Sequence, residues 1–162
     1  MKSLSAFGAT RPCSCISLLH LRIFFLFVFL TGIFVSAHAL DYNWVGGSGM
    51  WSDHNNHWAT SSGGNIFHDQ VPTSMDNVYF DANSFPAGGT VTIDPTIIYC
   101  MDMDWTGATG MPVFTGLGDK QVWIYGSLKL IAGMEWAVFG EVHFRAFQVG
   151  KTIASADKRI SF

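Results

Sequence analysis

The chain has 162 residues, of which 49% are hydrophobic, 15% aromatic and only 13% charged. All 12 acidic residues follow residue 40 and three of the nine basic residues precede it, so the segment after residue 39 has a net charge of −6. A surface of that sign repels phosphate backbones, and there is no basic stripe with interleaved aromatics, so the composition argues against nucleic-acid binding.

Residues 1–39 have the layout of a signal peptide. Basic residues come first, the apolar run 23–35 follows, and the segment ends in Ala37-x-Ala39, a small-residue cleavage signature. The apolar run is shorter than the roughly 20 residues that a membrane-spanning helix needs. The sequence therefore predicts cleavage near Leu40, a secreted, extracellular or cell-surface location, and no membrane span after cleavage.

Cys100 is the one cysteine after residue 39, and a single cysteine forms no intrachain disulfide. The stability of the exported part must then come from packing. Roughly 120 residues are enough for one domain with its own core.

Residues 40–87 are rich in tryptophan, glycine and aspartate and contain few continuous apolar runs. Trp44, Trp51 and Trp58 are separated by turn-forming glycines, which exclude a helical heptad. We expect the three rings to cover the open end of a β stack. The alternative is that they form a ligand-binding platform on which sugar rings stack.

Residues 88–162 contain short β-branched or aromatic stretches between glycine, proline or aspartate. Alternation is clearest in the stretch that places Val122, Ile124, Leu128 and Leu130 on one face. The opposite face then carries Trp123, Tyr125, Ser127 and Lys129. The predicted strands are 90–93, 97–105, 112–115, 121–131, 134–139, 141–147, 152–154 and 158–162.

A phrase of glycine followed by an alternating strand recurs at Gly126, Gly140 and Gly150. Repetition of a turn and a strand predicts stacked rungs. The expected fold is therefore all-β: a β-solenoid of the parallel β-helix type with a Trp/Gly-rich N-terminal cap. An antiparallel β-sandwich or meander is the alternative.

The opening segment also resembles a known family. The motif reads Trp44-x-Gly-Gly-x-Gly-x-Trp51-Ser-Asp53, then Val71-Pro72, then Asp76-x-Val-x-Phe-Asp81. It is similar to the N-terminal module of large secreted surface proteins of the Bacteroidetes type, which are β-helical, adhesin-like and often exported by the type IX route. Members of that family are much longer, so the resemblance implies that residues 88–162 are solenoid rungs truncated after Phe162. A truncated solenoid is expected to self-associate.

Several polar side chains after residue 40 are candidate metal ligands. Asp53, Asn55, Asp76 and Asp81 carry oxygen donors of the kind that calcium prefers, although their spacing matches no calcium loop and turn hydrogen bonding is the alternative. A second set with weaker support for a transition metal comprises His54, His57, His68 and Asp69. We expect no resident cofactor.

Catalytic signals are weak. Asp102 and Asp104 share a strand face, and Glu135 and Glu141 are the only glutamates, but nothing in the sequence places two carboxylates across a cleft as glycoside hydrolysis requires. The serine-hydrolase, phosphate-loop and metalloprotease motifs are missing from the sequence. The sequence thus predicts a protein that is not an enzyme.

The expected function is that of a secreted, noncatalytic structural or adhesin-like protein. Its partners would be cell-surface glycans or other surface proteins. Two alternatives remain: a carbohydrate-binding module that uses Trp123 and Tyr125 or the three N-terminal tryptophans, and a polysaccharide-active β-helix enzyme.

Overall fold

A computed structural model describes residues 39–162. The predicted signal peptide, apart from Ala39, lies outside the described residues. Across residues 39–162, no helix combines the length and apolar character needed to cross a bilayer.

The described chain consists of short strands joined by tight corners. In chain order the elements are β1 (Asp41–Trp44), β2 (Gly49–Met50), α1 (His54–His57), β3 (Trp58–Ala59), β4 (Asn77–Tyr79), β5 (Thr90–Thr92), β6 (Ile97–Cys100), β7 (Met103–Asp104), β8 (Val113–Gly116), β9 (Gln121–Ile124), β10 (Leu128–Lys129), β11 (Glu135–Val138), β12 (Glu141–Phe144) and β13 (Ile153–Ala154). They form three sheets: sheet A in the order β13-β10-β7-β4-β1-β3, sheet B in the order β11-β8-β5-β2, and sheet C in the order β12-β9-β6.

The chain visits the three sheets in turn, which makes the fold a β-solenoid. Strands β4, β5 and β6 form one coil, β7, β8 and β9 the next, and β10, β11 and β12 the third. Every pairing between coils is parallel, and β1 with β3 is the one antiparallel strand pair in the described chain. The predicted solenoid is confirmed, and the antiparallel sandwich or meander is excluded.

The repeat length differs from the glycine spacing in the sequence. In sheet A the register places Val78, Met103, Leu128 and Ile153 opposite one another, and hydrogen bonds between adjacent coils join residues that are 25 apart. Gly126 and Gly150 precede strands of sheet A, whereas Gly140 precedes a strand of sheet C. The phrase therefore marks corners: Gly126 and Gly150 lie at the same corner of successive coils, and Gly140 lies at a different corner.

Two predicted strands are each divided by a corner. The stretch 97–105 forms β6 and β7, and the stretch 121–131 forms β9 and β10. At the second corner, a side chain on residue 126 would collide with the Asp102 carboxylate and crowd the Met101 carbonyl of the preceding coil. The close approach of the two coils therefore requires glycine at this position. Alternation continues across the corner, and the inward residues predicted from it, Val122, Ile124, Leu128 and Leu130, are all buried.

The last predicted strand, 158–162, is not a regular strand in the structure. It nevertheless lies beside β12, because the backbone N–H of Val142 donates to the carbonyl of Ser161 at 2.8 Å. Ile160 packs against the core. The segment thus occupies the position that a next strand of sheet C would take.

The N-terminal cap lies within the first coil and does not precede it. β1 pairs with β4 and β2 pairs with β5, so the solenoid begins at Asp41 and not at residue 88. The cap is formed by the chain between β2 and β4, including α1 and β3. Because β3 pairs with β1 on the side away from β4, it covers the N-terminal edge of sheet A.

Candidate functional site

The three N-terminal tryptophans are interior residues. Trp44, Trp51 and Trp58 are 0%, 1% and 0% exposed. The Trp58 ring centroid lies 4.9 Å from that of Trp44 and 4.8 Å from that of Trp51, in edge-to-face contacts. A sugar cannot stack on a ring that other rings cover, so burial excludes these three residues as a surface platform and agrees with their predicted role in the cap.

The histidines of the cap are held by structural contacts. His57 stacks on Trp44 with centroids 4.5 Å apart, and its Nδ1 lies 2.7 Å from the Val45 carbonyl oxygen. His68 stacks on Tyr42 at 3.7 Å. His54 Nδ1 lies 3.0 Å from the His68 carbonyl oxygen. The His57 and His68 rings thus pack on aromatic neighbours, and His54 and His57 contact backbone carbonyls through Nδ1.

The oxygen donors proposed for calcium lie in separate turns. Asp76 accepts hydrogen bonds from the Leu40 N–H and from both the N–H and the hydroxyl of Thr73. Asp81 accepts from the Asn83 N–H.

The other two calcium candidates lie in and beside α1. Asp53 accepts from the Asn56 amide, and Asn55 is exposed. Residues 39–162 contain no group of three or more His, Cys, Asp or Glu side chains placed to hold a metal ion. Turn formation, the alternative considered from the sequence, accounts for Asp53, Asp76 and Asp81.

The outward acids of sheet A are paired with lysines of later coils. Asp102 accepts from Lys151 Nζ at 2.9 Å and from the Ser127 N–H at 2.6 Å. Asp104 accepts from Lys129 Nζ at 3.0 Å. Asp102, Asp104 and Lys129, with Tyr79, Met103 and Ser127, line a hollow of about 160 Å³. The Asp104–Lys129 pair joins adjacent coils, and the Asp102–Lys151 pair, whose residues are 49 apart, spans two coil steps.

Asp104 is held in its ionised form. Partial burial would raise its pKa, but hydrogen bonds from Thr106 and the charge of Lys129 outweigh burial and lower the pKa below its ordinary value. A general acid needs a pKa near the working pH, and a carboxyl with a lowered pKa is a poor proton donor at neutral pH. Glu135 in β11 and Glu141 in β12 belong to two other sheets, so neither lies on the sheet A face beside Asp104.

Sheet C presents a different outward surface, which we call the aromatic ladder: Tyr99, Trp123 and His143. The register places these residues opposite one another on β6, β9 and β12. The Trp123 centroid lies 5.7 Å from that of Tyr99 and 5.5 Å from that of His143. All three are partly exposed, so this ladder offers aromatic surface to a ligand.

Arg145 lies over the middle of the ladder. Its guanidinium carbon is 3.7 Å from the centroid of the Trp123 ring. The Trp123 Nε1–H donates to Gln121 Oε1 at 3.0 Å, which fixes the indole along the strand. The backbone N–H of Arg145 donates to the Ile124 carbonyl at 2.7 Å, which extends the hydrogen bonding between β9 and β12 by one residue.

Part of this site is predictable from the sequence. Alternation predicts that Trp123 and Tyr125 point outward, and both are partly exposed. The ligand-binding candidates predicted from the sequence do not include Tyr99, His143 or Arg145. Alternation places His143 and Arg145 on one strand face. However, Tyr99 and Trp123 are 24 residues apart and Trp123 and His143 are 20 apart, so no constant repeat in the sequence reveals that they are neighbours.

Comparisons with protein-family models, with curated proteins and with solved structures give no match for this chain. The resemblance to secreted Bacteroidetes-type surface proteins stays a prediction.

Proposed function

We propose that the protein is a secreted, noncatalytic component of the cell surface or extracellular space, of the structural or adhesin-like class. In this role the solenoid is a rigid frame that presents outward side chains to cell-surface glycans or other surface proteins. The export signal of residues 1–39 supports the location. The fold is consistent with a rigid frame, since the coils of sheet A stack in parallel with a constant step of 25 residues.

The observation that carries the noncatalytic assignment is the pairing of Asp102 with Lys151 and of Asp104 with Lys129. These are the acids that the sequence offers as a catalytic pair, and each is engaged by a lysine from another coil. An acid that joins coils in this way serves stability. The polysaccharide-active enzyme is therefore the least supported of the three functions.

A carbohydrate-binding module is the second candidate. It is favoured by the aromatic ladder, because partly exposed aromatic rings on one sheet face offer apolar area to the faces of sugar rings. Binding to a surface glycan would also be the means by which an adhesin-like protein attaches.

Export of the full chain tests the proposed location. The chain is expressed in a bacterium with a C-terminal epitope, the cells are fractionated, and the N-terminus of the exported protein is sequenced. We expect a mature N-terminus at or near Leu40 and epitope outside the cytoplasm. Protein that keeps Met1 and stays in the cytoplasm would contradict the proposal. A variant with Ala37→Arg and Ala39→Arg is the control, since it removes the cleavage signature and should leave the leader attached.

A further inference from the structure

We propose that the outward face of sheet C binds acidic sugars, and that the Arg145 guanidinium recognises the sugar carboxylate. This inference rests on the second candidate function, carbohydrate binding, and specifies its ligand class. It does not depend on the scaffold function.

Arg145 lies on an aromatic ring and has no acidic partner among residues 39–162. The residue is exposed, and its side chain forms no ion pair with any carboxylate of residues 39–162. Contact with the Trp123 ring holds the guanidinium in place by cation–π attraction while its N–H edges remain free. A fixed guanidinium fork matches a carboxylate in a two-point hydrogen-bonded geometry. Arg145 is therefore prepared for an anionic group that the described chain does not supply.

Beside Arg145 lies an open hollow of about 560 Å³, lined by Val142, His143, Phe144, Arg145 and Phe162. Ligand sites commonly have volumes of about 300–1,000 Å³. Phe144 is in register with the buried Ile124 and packs against the core, so the hollow extends from the outward face of sheet C past β12 toward the core. On that inner side, Phe144 and Phe162, with centroids 5.8 Å apart, supply aromatic surface. A sugar ring in this hollow would rest on apolar surface with its carboxylate directed toward Arg145.

Charge is distributed unevenly along the solenoid. Residues 40–119 contain nine acids and no lysine or arginine, whereas residues 120–162 contain six bases and three acids. Two of those bases, Lys129 and Lys151, pair with acids on sheet A, whereas Arg145 on sheet C has no acidic partner in residues 39–162. Glu141, also on β12, lies 3.1 Å from the His143 ring. The later coils thus repel an anion less than the earlier coils do, although the chain after residue 39 as a whole is negative.

These features favour carboxylated over neutral sugars. A neutral sugar offers only hydroxyl oxygens to the guanidinium, and hydrogen bonds to them are weaker than the charge-assisted hydrogen bonds to a carboxylate. An acidic sugar uses both the arginine and the rings. Sulfated sugars are the closest competitors, and the test below separates them by comparing the two anions directly.

The experiment is isothermal titration of residues 40–162 with short oligomers of polygalacturonic acid, with the same oligomers fully methyl-esterified, and with sulfated neutral oligomers of equal length. Arg145→Gln removes the charge and keeps the side-chain length. Arg159→Gln is the matched control, because Arg159 is also exposed and lies near the same end of the chain. Melting temperatures of both variants check that they fold.

We expect the acid oligomer to bind the unmodified chain about tenfold or more tightly than the ester, and Arg145→Gln to abolish that preference. Arg159→Gln should change the affinity by no more than about twofold, since Arg159 does not line the hollow and its exposed charge is screened by salt. Raising the salt concentration should weaken binding of the acid and leave binding of the ester unchanged.

Three results would overturn the inference. Equal binding of acid and ester would leave the carbohydrate-binding function intact but remove the acid preference. Equal binding of the sulfated oligomer would replace the carboxylate with a general anion. If no oligomer binds at millimolar concentration, the carbohydrate-binding candidate fails together with this inference, and only the scaffold function remains.

Discussion

Replacement of Trp58 by alanine should remove a large part of the stability of the domain. Trp58 is fully buried, contacts the rings of Trp44, Trp51 and Phe80, and donates its indole N–H to the Trp51 carbonyl at 2.9 Å. Truncation of buried tryptophans to alanine destabilises proteins by about 3–5 kcal/mol. Burial of about 150–250 Å² per aromatic ring at about 25 cal/mol per Å² gives about 4–6 kcal/mol. The two values agree on about 4–5 kcal/mol, within a total stability of about 5–15 kcal/mol for a typical domain.

Urea denaturation followed by circular dichroism measures this loss. Trp123→Ala is the matched control: it removes the same side chain from the partly exposed face of sheet C and should destabilise by only about 1 kcal/mol. Trp58→Phe keeps an aromatic ring but leaves the Trp51 carbonyl without its donor, so about 1–2 kcal/mol is expected. If Trp58→Ala unfolds cooperatively with a loss below about 1 kcal/mol, the tryptophans do not close the end of the solenoid and the reasoning is refuted.

Three further predictions follow from burial, titration and exposed edges. Burial raises the pKa of the Cys100 thiol, so iodoacetamide should modify it in urea but not in the folded protein, and rapid labelling under native conditions would contradict its position in the core. The pKa of Asp104 is lower in the folded than in the unfolded state, so its contribution to the free energy of unfolding is present above about pH 4 and is lost as the pH falls further. The urea midpoint should therefore fall less on acidification in Asp104→Asn than in the unmodified chain. An equal fall in both would mean that the Asp104–Lys129 pair adds no stability. Phe139 and Phe162 are 72% and 80% exposed, and β11 and β13 are the edge strands of their sheets. Residues 40–162 should therefore associate with increasing concentration in sedimentation velocity; Phe162→Lys should reduce this association, and a clean monomer at about 100 μM would count against it.

The sequence predicts the strands and the inward faces of the solenoid well, because alternation depends only on local residues. Val122 and Ile124 are buried and Trp123 points outward, as expected from a period of two. The corners were harder to predict. Tyr125-Gly126 interrupts a stretch that alternates throughout, and a bend that preserves alternation leaves no trace in the pattern.

The cap shows a second limit of sequence reasoning. Its tryptophans were expected to be buried, but β1 was assigned to the cap although it is the first strand of sheet A. Pairing of β1 with β4 bridges more than 30 residues, from Tyr42 to Val78, and no local pattern reports a contact over that distance. Amino-acid composition distinguishes residues 40–87 from residues 88–162, whereas strand pairing places both segments in the same solenoid.

For the candidate site, single residues were predictable and their grouping was not. An outward Trp123 follows from alternation, but its contacts with Tyr99 and Arg145 come from two other segments of the chain. The register of sheet C brings them together, and its unequal steps are set by corner lengths. The lysine partners of Asp102 and Asp104 depend in the same way on the 25-residue step of sheet A.

The central functional claim is that the exported chain binds without catalysis. Its most direct test is prolonged incubation of residues 40–162 with a panel of neutral and acidic polysaccharides, followed by measurement of new reducing ends and by mass spectrometry of the products. The account predicts no more chain cleavage than in a heat-inactivated sample, and the same result for Asp102→Asn. Release of shorter glycans by the native protein, lost in Asp102→Asn or Asp104→Asn variants that remain folded, would contradict it and identify an enzyme.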